Sequence, residues 1–451
     1  MKMRTQLARL GLFDSRVPRY TSYPTAPHFS EAIAPPQFQE WIQAIPEDGD
    51  ISLYLHVPFC RRLCWFCACR TQGTATGSPV RAYVETLEAE LKLLRGHLPR
   101  GVRLKHLHWG GGTPTLLEPE LMKRLIAAVR ETAEFAEGAE FSVEIDPNEI
   151  DAARLDALVE GGMTRASIGV QDFDPAIQAA IGREQGYALT RRVVDMIRDR
   201  GVTSLNTDIL FGLPYQTRAR ITETVQKLLS FAPDRVALYG YAHVPWMAKR
   251  QQMISSDVLP TPEERLDLFE TARKLFLWDG YAEIGIDHFA APSDGLALAA
   301  RTGRLRRNFQ GYTADGAEVL IGVGASSISR FPQGYAQNAP GTSAHVKAIC
   351  ENRFSTARGH AFDGEDLMRS RLIEALMCDF HIDAAEIERD FDVPKMRLFE
   401  MFHAVDAQFD NLLEVTEDGL FIPERARPLT RMVARSFDAY DLAKAGHSSA
   451  I

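Results

Sequence analysis

Four of the six cysteines in this 451-residue chain fall within ten positions: Cys60, Cys64, Cys67 and Cys69, in the run HVPFCRRLCWFCACRT spanning 56–71. Thiolates are the cysteine form that ligates metals and iron–sulfur clusters. The spacing Cys60-x3-Cys64-x2-Cys67 supplies three of them. A tetrahedral zinc site would need a fourth ligand, Cys69 or His56, and such sites are usually built from two separated pairs, which this chain lacks. A cubane cluster has four irons, so three thiolates leave one iron open. An open metal position marks a catalytic site, whereas a structural site is closed. Cys350 and Cys378 stand alone and read as small apolar packing residues.

Composition bounds the setting of these thiols. Hydrophobic content of 45% and charged content of 25% describe an ordinary globular protein able to bury a sizeable core. The formal net charge of −9 argues against nucleic acid as an obligate partner, because a phosphate backbone wants a basic face. The opening MKMRTQLARLGLFDSR has no apolar run of signal-peptide length, and no later stretch approaches a membrane span. A cytoplasmic protein is therefore expected, where thiols stay reduced and clustered cysteines mean metal or catalysis more often than disulfides.

The elements that position the cysteines follow a rhythm. The first 50 residues are loop-rich, with prolines at 18, 24, 27, 35, 36 and 46. From Ile51, strand-like runs at 51–57, 103–109, 140–146, 165–170, 203–210 and 235–242 alternate with helical patterns such as 83–94, 119–131 and 191–200. A further strand is expected at 281–286. Such alternation means parallel βαβ units, and both a closed barrel and an open doubly wound sheet fit it.

In either architecture chemistry gathers at the C-terminal strand ends. The cysteine loop follows strand one and GGGTP (110–114) follows strand two. Glu144, Gln171 and Asp208 read as the ends of strands three, four and five, with Ala242 and His243 ending strand six. The glycines at 110–112 are expected to let the backbone approach a ligand and to expose N–H donors. For His56 and His243, at strand ends, packing and function are both open readings. Past residue 300 the rhythm stops. A capped helix is read at 365–380, a hairpin at 412–424 turning on Asp418-Gly419, and a closing helix at 429–445.

The C-x3-C-x2-C loop after the first strand, with aromatic Phe66 before its last cysteine, resembles the signature of the radical S-adenosylmethionine (radical SAM) enzymes. GGGTP resembles their second motif. PRYTSYPTA (18–26), HWGGGTPT (108–115), SIGVQDFD (167–174), NTDILFGLP (206–214), YAHVP (241–245), GIDHFA (285–290) and RNFQGYT (307–313) extend the likeness. Over nearly the whole chain they resemble the oxygen-independent coproporphyrinogen III oxidases, or dehydrogenases. Ala68 stands where a glycine is usual, and Trp65 is bulkier than the common residue; neither removes a ligand.

The resemblance implies an α/β fold: a partial (βα)6 radical SAM barrel at 51–300, a closing N-terminal extension at 1–50, and a mostly helical, winged-helix-like domain at 301–451. It implies a [4Fe–4S] cluster on Cys60, Cys64 and Cys67, and S-adenosylmethionine on its open iron. Cleavage would give a deoxyadenosyl radical that takes hydrogen from a propionate β-carbon. Loss of CO2 and an electron would then leave a vinyl group, twice per coproporphyrinogen III, yielding protoporphyrinogen IX for haem.

Similar enzymes bind two S-adenosylmethionine molecules. Matching positions are Tyr54, Gly111, Glu144 and Ile328 for the first. For the second they are Phe66, Gly112, Thr113, Gln171, Arg183, Asp208 and Ala242. Cys69, Phe309 and Gln310 are implied beside the chemistry, and Arg19, Arg304, Arg306 and Arg307 are candidates for substrate carboxylates. Implied partners are a low-potential donor such as flavodoxin or ferredoxin and an electron acceptor, with a monomeric subunit, no nucleic acid and no membrane span. Two other readings are a haem-binding chaperone and a relative that modifies haem. The chaperones usually lack the long N-terminal segment, the fourth cysteine and the NFQGY stretch, all present here.

Overall fold

The computed structural model describes residues 2–440 and 449–451. Six βα units form its centre. The strands are β1 (Asp50–Val57), β2 (Arg103–Gly111), β3 (Glu134–Ile145), β4 (Arg165–Gln171), β5 (Ser204–Phe211) and β6 (Arg235–Gly240). The helices are α1 (Ser78–Arg95), α2 (Pro119–Thr132), α3 (Ala152–Glu160), α4 (Tyr187–Arg198), α5 (Arg218–Leu229) and α6 (Pro262–Trp278). β1 is buried along nearly its whole length because parallel strands are covered on both faces. In α1, Val80, Val84, Leu87, Leu91 and Leu94 recur at helical spacing and face the sheet core. α6 opens with a capping box, Thr261 with Glu264, and a proline at its first position.

Strands β1 to β6 pair in parallel in chain order. Among the described residues the sheet has twelve strands and does not close on itself. Beyond β6 lie two short antiparallel strands, β8 (His288–Ala290) and, at the edge, β7 (Ala282–Ile284). The strand expected at 281–286 is thus a three-residue edge strand, not a seventh parallel unit. On the other side of β1, β9 (Val319–Val323) pairs in parallel. It is followed by antiparallel β10 (Ile328–Phe331), β11 (Gly334–Asn338) and β12 (Thr356–Ala361). The sheet therefore runs past residue 300, and the expected division at 300/301 falls inside it.

The helical body begins at Asp366. Helices Asp366–Asp379, Ala384–Phe391 and Lys395–Gln408 pack with a three-stranded sheet whose hairpin joins Glu414–Thr416 to Gly419–Phe421. This is the winged-helix pattern. Two sequence expectations change here. Glu365 does not cap the first helix, because its carboxylate is taken by Arg369 and Arg397. The closing helix is a 3-10 turn, Glu424–Leu429, with Pro428 inside it, and then helix Thr430–Arg435 only. Asp438 turns the chain by accepting from the Tyr20 hydroxyl and the Tyr440 N–H. Positions 441–445 lie outside the described residues.

Among the described residues up to 50 there are two α-helices, Lys2–Arg9 and Pro35–Gln43, the second using its paired prolines as a start, and a 3-10 turn, Ala26–His28. Leu7, Leu12, Val17, Tyr20 and Tyr23 bury into the helical body. Ile33, Phe38, Trp41 and Ile42 bury against the sheet. The extension therefore ties both bodies together.

Candidate active site

The cysteine loop leaves the end of β1 and is closed by a two-residue parallel pairing of Phe59–Cys60 with Gln72–Gly73. Trp65 fixes its far side: its backbone N–H donates to the Ile181 carbonyl at 2.9 Å, and its ring lies 3.0 Å from where a Cβ on Gly182 would sit. Burial pushes the Cys60 and Cys64 thiols up, against the pull of Thr113 on Cys60 and of Arg183 on Cys64. Cys67 is lowered to about 6, chiefly because the Cys69 thiol donates to its sulfur, with the Cys69 backbone N–H helping from 3.4 Å. The same pairing raises Cys69 well above its ordinary value.

Two thiols are thus held protonated by burial until a cation favours their thiolates, as metal ligands are. Arg183 Nε is buried without an acceptor, although the same guanidinium reaches Cys64 Sγ at 3.6 Å. An orphaned cationic donor beside three thiols fits an anionic cluster. Among the described residues, no group of three or more His, Cys, Asp or Glu stands close enough to hold a single metal ion. A cubane spreads its ligands over a wider body than one ion does.

The glycine cradle works differently from the sequence expectation. The Gly111 N–H donates to Glu144 at 3.1 Å, the Gly112 N–H to the Val57 carbonyl at 2.8 Å, and the Thr113 N–H to the Phe59 carbonyl at 2.8 Å. These donors are occupied within the chain. The glycines are required sterically. A Cβ on Gly111, which has φ +111°, would lie 2.5 Å from the His56 ring, and one on Gly112 2.5 Å from the Phe59 carbonyl oxygen. His56 itself is a packed ring held between the Tyr54 hydroxyl and the Arg70 carbonyl.

Several matched cofactor positions converge. Tyr54 stacks on His108, whose Nε2 lies 3.4 Å from Glu144. Glu144 keeps its side chain 42% exposed beside His108. Ile328 reaches this group through Gly322, the register partner of Tyr54, whose Cβ would lie 2.8 Å from the Ile328 carbonyl. On the other side, Gln251 Nε2 donates to the carbonyls of both Phe66 (2.8 Å) and Ala242 (3.0 Å). Gln171, at φ +67°, and Arg183 meet over Gly169. Asp208 lies inside β5, three residues before its end, and faces a small polar cavity of about 240 Å³ together with Glu144 and His108.

A larger cavity of about 1170 Å³ opens beside the cysteine loop. Cys67, Cys69, Phe309 and Gln310 line it, with Phe66, Ala242, Arg19 and Arg307. Arg304 and Arg306 do not. Arg304 is exposed and bonds Thr302, and Arg306 bonds the Gly303 and Leu305 carbonyls. The cause is alternation. In the hairpin of Arg306–Asn308 with Gly311–Thr313, adjacent residues face opposite sides, and the cavity side takes Arg307. Cys378 packs as expected, but Cys350 is exposed at a helix end.

Several groups on the cavity wall escape the sequence reading. Tyr239 and Asp287 line the cavity and are joined through His288 behind them, whose Nδ1 donates to the Asp287 carboxylate at 2.7 Å and whose Nε2 meets the Tyr239 hydroxyl at 3.3 Å. Burial pushes the Asp287 carboxyl up, but Arg307, His288 and Arg19 outweigh it and hold it below the ordinary range. The motif GIDHFA contained Asp287 and His288; nothing local marked them as facing a cavity. Arg265 and Arg431 also line it, brought there by α6 and the last described helix.

Residues 54–228 match the radical SAM superfamily. The oxygen-independent coproporphyrinogen III oxidase of Paracoccus denitrificans (strain Pd 1222) is 65% identical over 451 residues, covering 100% of both chains. The enzyme of the same name from Escherichia coli (strain K12) is 37% identical over 440 residues, 96% of this chain and 95% of that one. A solved structure, described as coproporphyrinogen III oxidase (HemN) from Escherichia coli, a radical SAM enzyme, superposes with a TM-score of 0.89. It shares 36% identity and covers 95% of this chain and 100% of that one.

Proposed function

Because the chain belongs to the oxygen-independent coproporphyrinogen III oxidases of the radical SAM superfamily, we propose that Cys60, Cys64 and Cys67 hold its cluster and that the large cavity beside them receives the porphyrinogen. The protein is an oxidoreductase that uses a [4Fe–4S] cluster and S-adenosylmethionine. It converts two propionates of coproporphyrinogen III to vinyl groups in oxygen-independent haem biosynthesis. When bound, the cluster and S-adenosylmethionine supply a deoxyadenosyl radical able to take a propionate β-hydrogen.

The chain's own residues bind, orient and exclude water. Tyr54, Gly111, Glu144 and Ile328 would hold the S-adenosylmethionine on the open iron. Phe66, Gly112, Thr113, Gln171, Arg183, Asp208 and Ala242 would hold a second. Cys69, Phe309 and Gln310 face the reacting side chain, and Arg19 and Arg307 offer charge to carboxylates. The observation that carries this reading is the shared wall: Cys67, Cys69, Phe309 and Gln310 line the same 1170 Å³ cavity as Arg19 and Arg307.

The reading includes a cytoplasmic monomer reduced by flavodoxin or ferredoxin and passing the substrate's electrons to a separate acceptor. No helix among the described residues is long and apolar enough to cross a membrane. The test is anaerobic incubation of cluster-loaded protein with coproporphyrinogen III, S-adenosylmethionine, a reductant and an acceptor. A product lighter by two CO2 and four hydrogens is expected. Deoxyadenosine without that product would overturn the assignment.

A further inference from the structure

The cations of the large cavity divide into two groups. On one wall, Arg273 pairs with Glu283 at 2.6 Å and Glu424 at 2.9 Å, and Arg427 also pairs with Glu283. Their charge is spent within the protein. On the wall nearer the cysteine loop, Arg19 and Arg265 form no ion pair with a side-chain carboxylate among the described residues. Arg19 Nη2 donates to the Gly240 carbonyl at 2.6 Å. Arg265 donates through Nε to the Ile451 main-chain carboxylate at 3.2 Å, which leaves its two Nη groups for other acceptors, and through Nη1 to the Gly212 carbonyl at 3.4 Å.

The two guanidiniums converge on Gly240. Arg265 Nη2 would lie 3.2 Å from a Cβ there, and Arg19 bonds the same residue's carbonyl. Burial and then Arg19 depress Arg265 to about 10, while burial above all depresses Arg19, which Asp287 partly offsets. Two buried cations side by side raise each other's cost unless an anion joins them. Arg431 adds to the local field but spends four of its five N–H donors within the protein. It donates to the carbonyls of Val17, Pro18, Ser449 and Ala450, so it pins the N-terminal extension and the chain's last described residues. Asp287 is the side-chain carboxylate that offsets the burial of Arg19, and it already faces Arg307 and His288.

We propose that Arg19 and Arg265, meeting at Gly240, form a carboxylate subsite that holds a propionate of the substrate. The subsite rests on the assignment of a tetracarboxylate porphyrinogen as substrate. Arg265 is its specificity-determining member, because it lines the cavity, its Nη2 has no acceptor among the described residues, and its guanidinium is held over the Phe211 ring, 5.5 Å from the centroid.

The test uses coproporphyrin III, the stable oxidised form of the substrate, titrated by fluorescence into cluster-loaded protein, with its tetramethyl ester as the uncharged control. Arg265→Gln should weaken coproporphyrin III binding by about tenfold or more, the size of a lost charge-assisted hydrogen bond. It should leave the much weaker ester binding unchanged, and Arg265→Lys should restore part of the loss. KM for coproporphyrinogen III should rise more than kcat falls. Iron content and melting temperature report folding; if Arg265→Gln does not fold, Arg19→Gln carries the same test. Unchanged coproporphyrin III affinity, or equal loss for acid and ester, overturns the subsite. Wild-type protein that yields no divinyl product overturns the substrate assignment instead, so the two failures are distinct.

Discussion

Arg183 Nη1 stands 3.6 Å from Cys64 Sγ and 3.4 Å from the Asp146 carboxylate, while Nη2 donates to the Gly169 carbonyl at 2.9 Å. One guanidinium thus spans the cysteine loop and the strand end at Gln171. Donors to metal-bound sulfur set both affinity and potential. Arg183→Gln should therefore lower cluster retention by about 10- to 100-fold. Whatever cluster remains should be harder to reduce, because a positive charge beside the thiolate is gone. Iron analysis and an electron paramagnetic resonance redox titration read the two effects. An unchanged midpoint potential would show that Arg183 serves only the loop's fold.

The four thiols should not behave alike. Cys60, Cys64 and Cys67 follow the ligand spacing, whereas Cys69 donates to Cys67 and faces the cavity. Alanine at any of the first three should abolish cluster retention, from about four irons per chain to near none. Alanine at Cys69 should keep most of the iron and lose product. Equal iron loss in all four variants would make Cys69 a ligand.

The local part of this site was legible in the sequence because its determinants are local. Cysteine spacing, the glycine run and the βα alternation each lie within a few residues, and the structure joins them at one rim. What escaped was assembled over distance. β9 to β12 are short runs whose partners are other edges of the same sheet, and no period marks them. Arg265 sits on the outer helix α6 and reads as a surface cation until the fold folds its side chain over Phe211. The misreading of the glycine N–H groups has the same origin. The acceptors of the Gly112 and Gly111 N–H groups, Val57 and Glu144, come from β1 and β3.

Asp208 gives a pH signature. Burial pushes its carboxyl up to about 6 and Glu144 adds to that, against Asn206, His288 and His108. In the unfolded chain it titrates near 3.9. Below that value both states are protonated and no penalty exists. As pH rises from about 4 to 6, the unfolded chain releases its proton first, so this group's contribution to stability is lost across that window. A shift of about two units is worth about 3 kcal/mol, an upper bound because Asp208 borders a cavity. Asp208→Asn keeps the acceptor for Asn206 and removes the charge. Its melting temperature should exceed the wild type's at pH 8 and match it at pH 4. The same gain at both pH values would assign the effect to packing.

Arg307 is the member of the basic stretch that the fold selects. It lies opposite Tyr312 in its hairpin, donates to the Tyr312 hydroxyl at 2.7 Å, and stands 4.0 Å from Asp287, with both side chains largely buried. Arg306, one residue earlier, faces away from the cavity. Removing Arg307 has two consequences that one variant cannot separate. On the proposed reading a substrate carboxylate loses a partner, and Asp287 loses its largest offsetting charge and keeps only His288 and Arg19, a cost bounded above by the loss of about 3–5 kcal/mol for a fully stranded buried ion. Arg307→Gln should therefore lower the melting temperature and stop product formation. Adding Asp287→Asn removes the stranded charge and should recover most of the melting temperature without recovering KM for coproporphyrinogen III. Arg304→Ala and Arg306→Ala, on the outer face, should change KM by less than about twofold, as surface substitutions do. If the double variant regains wild-type KM, Arg307 acts only by balancing Asp287, and the substrate's carboxylates are held elsewhere on the wall.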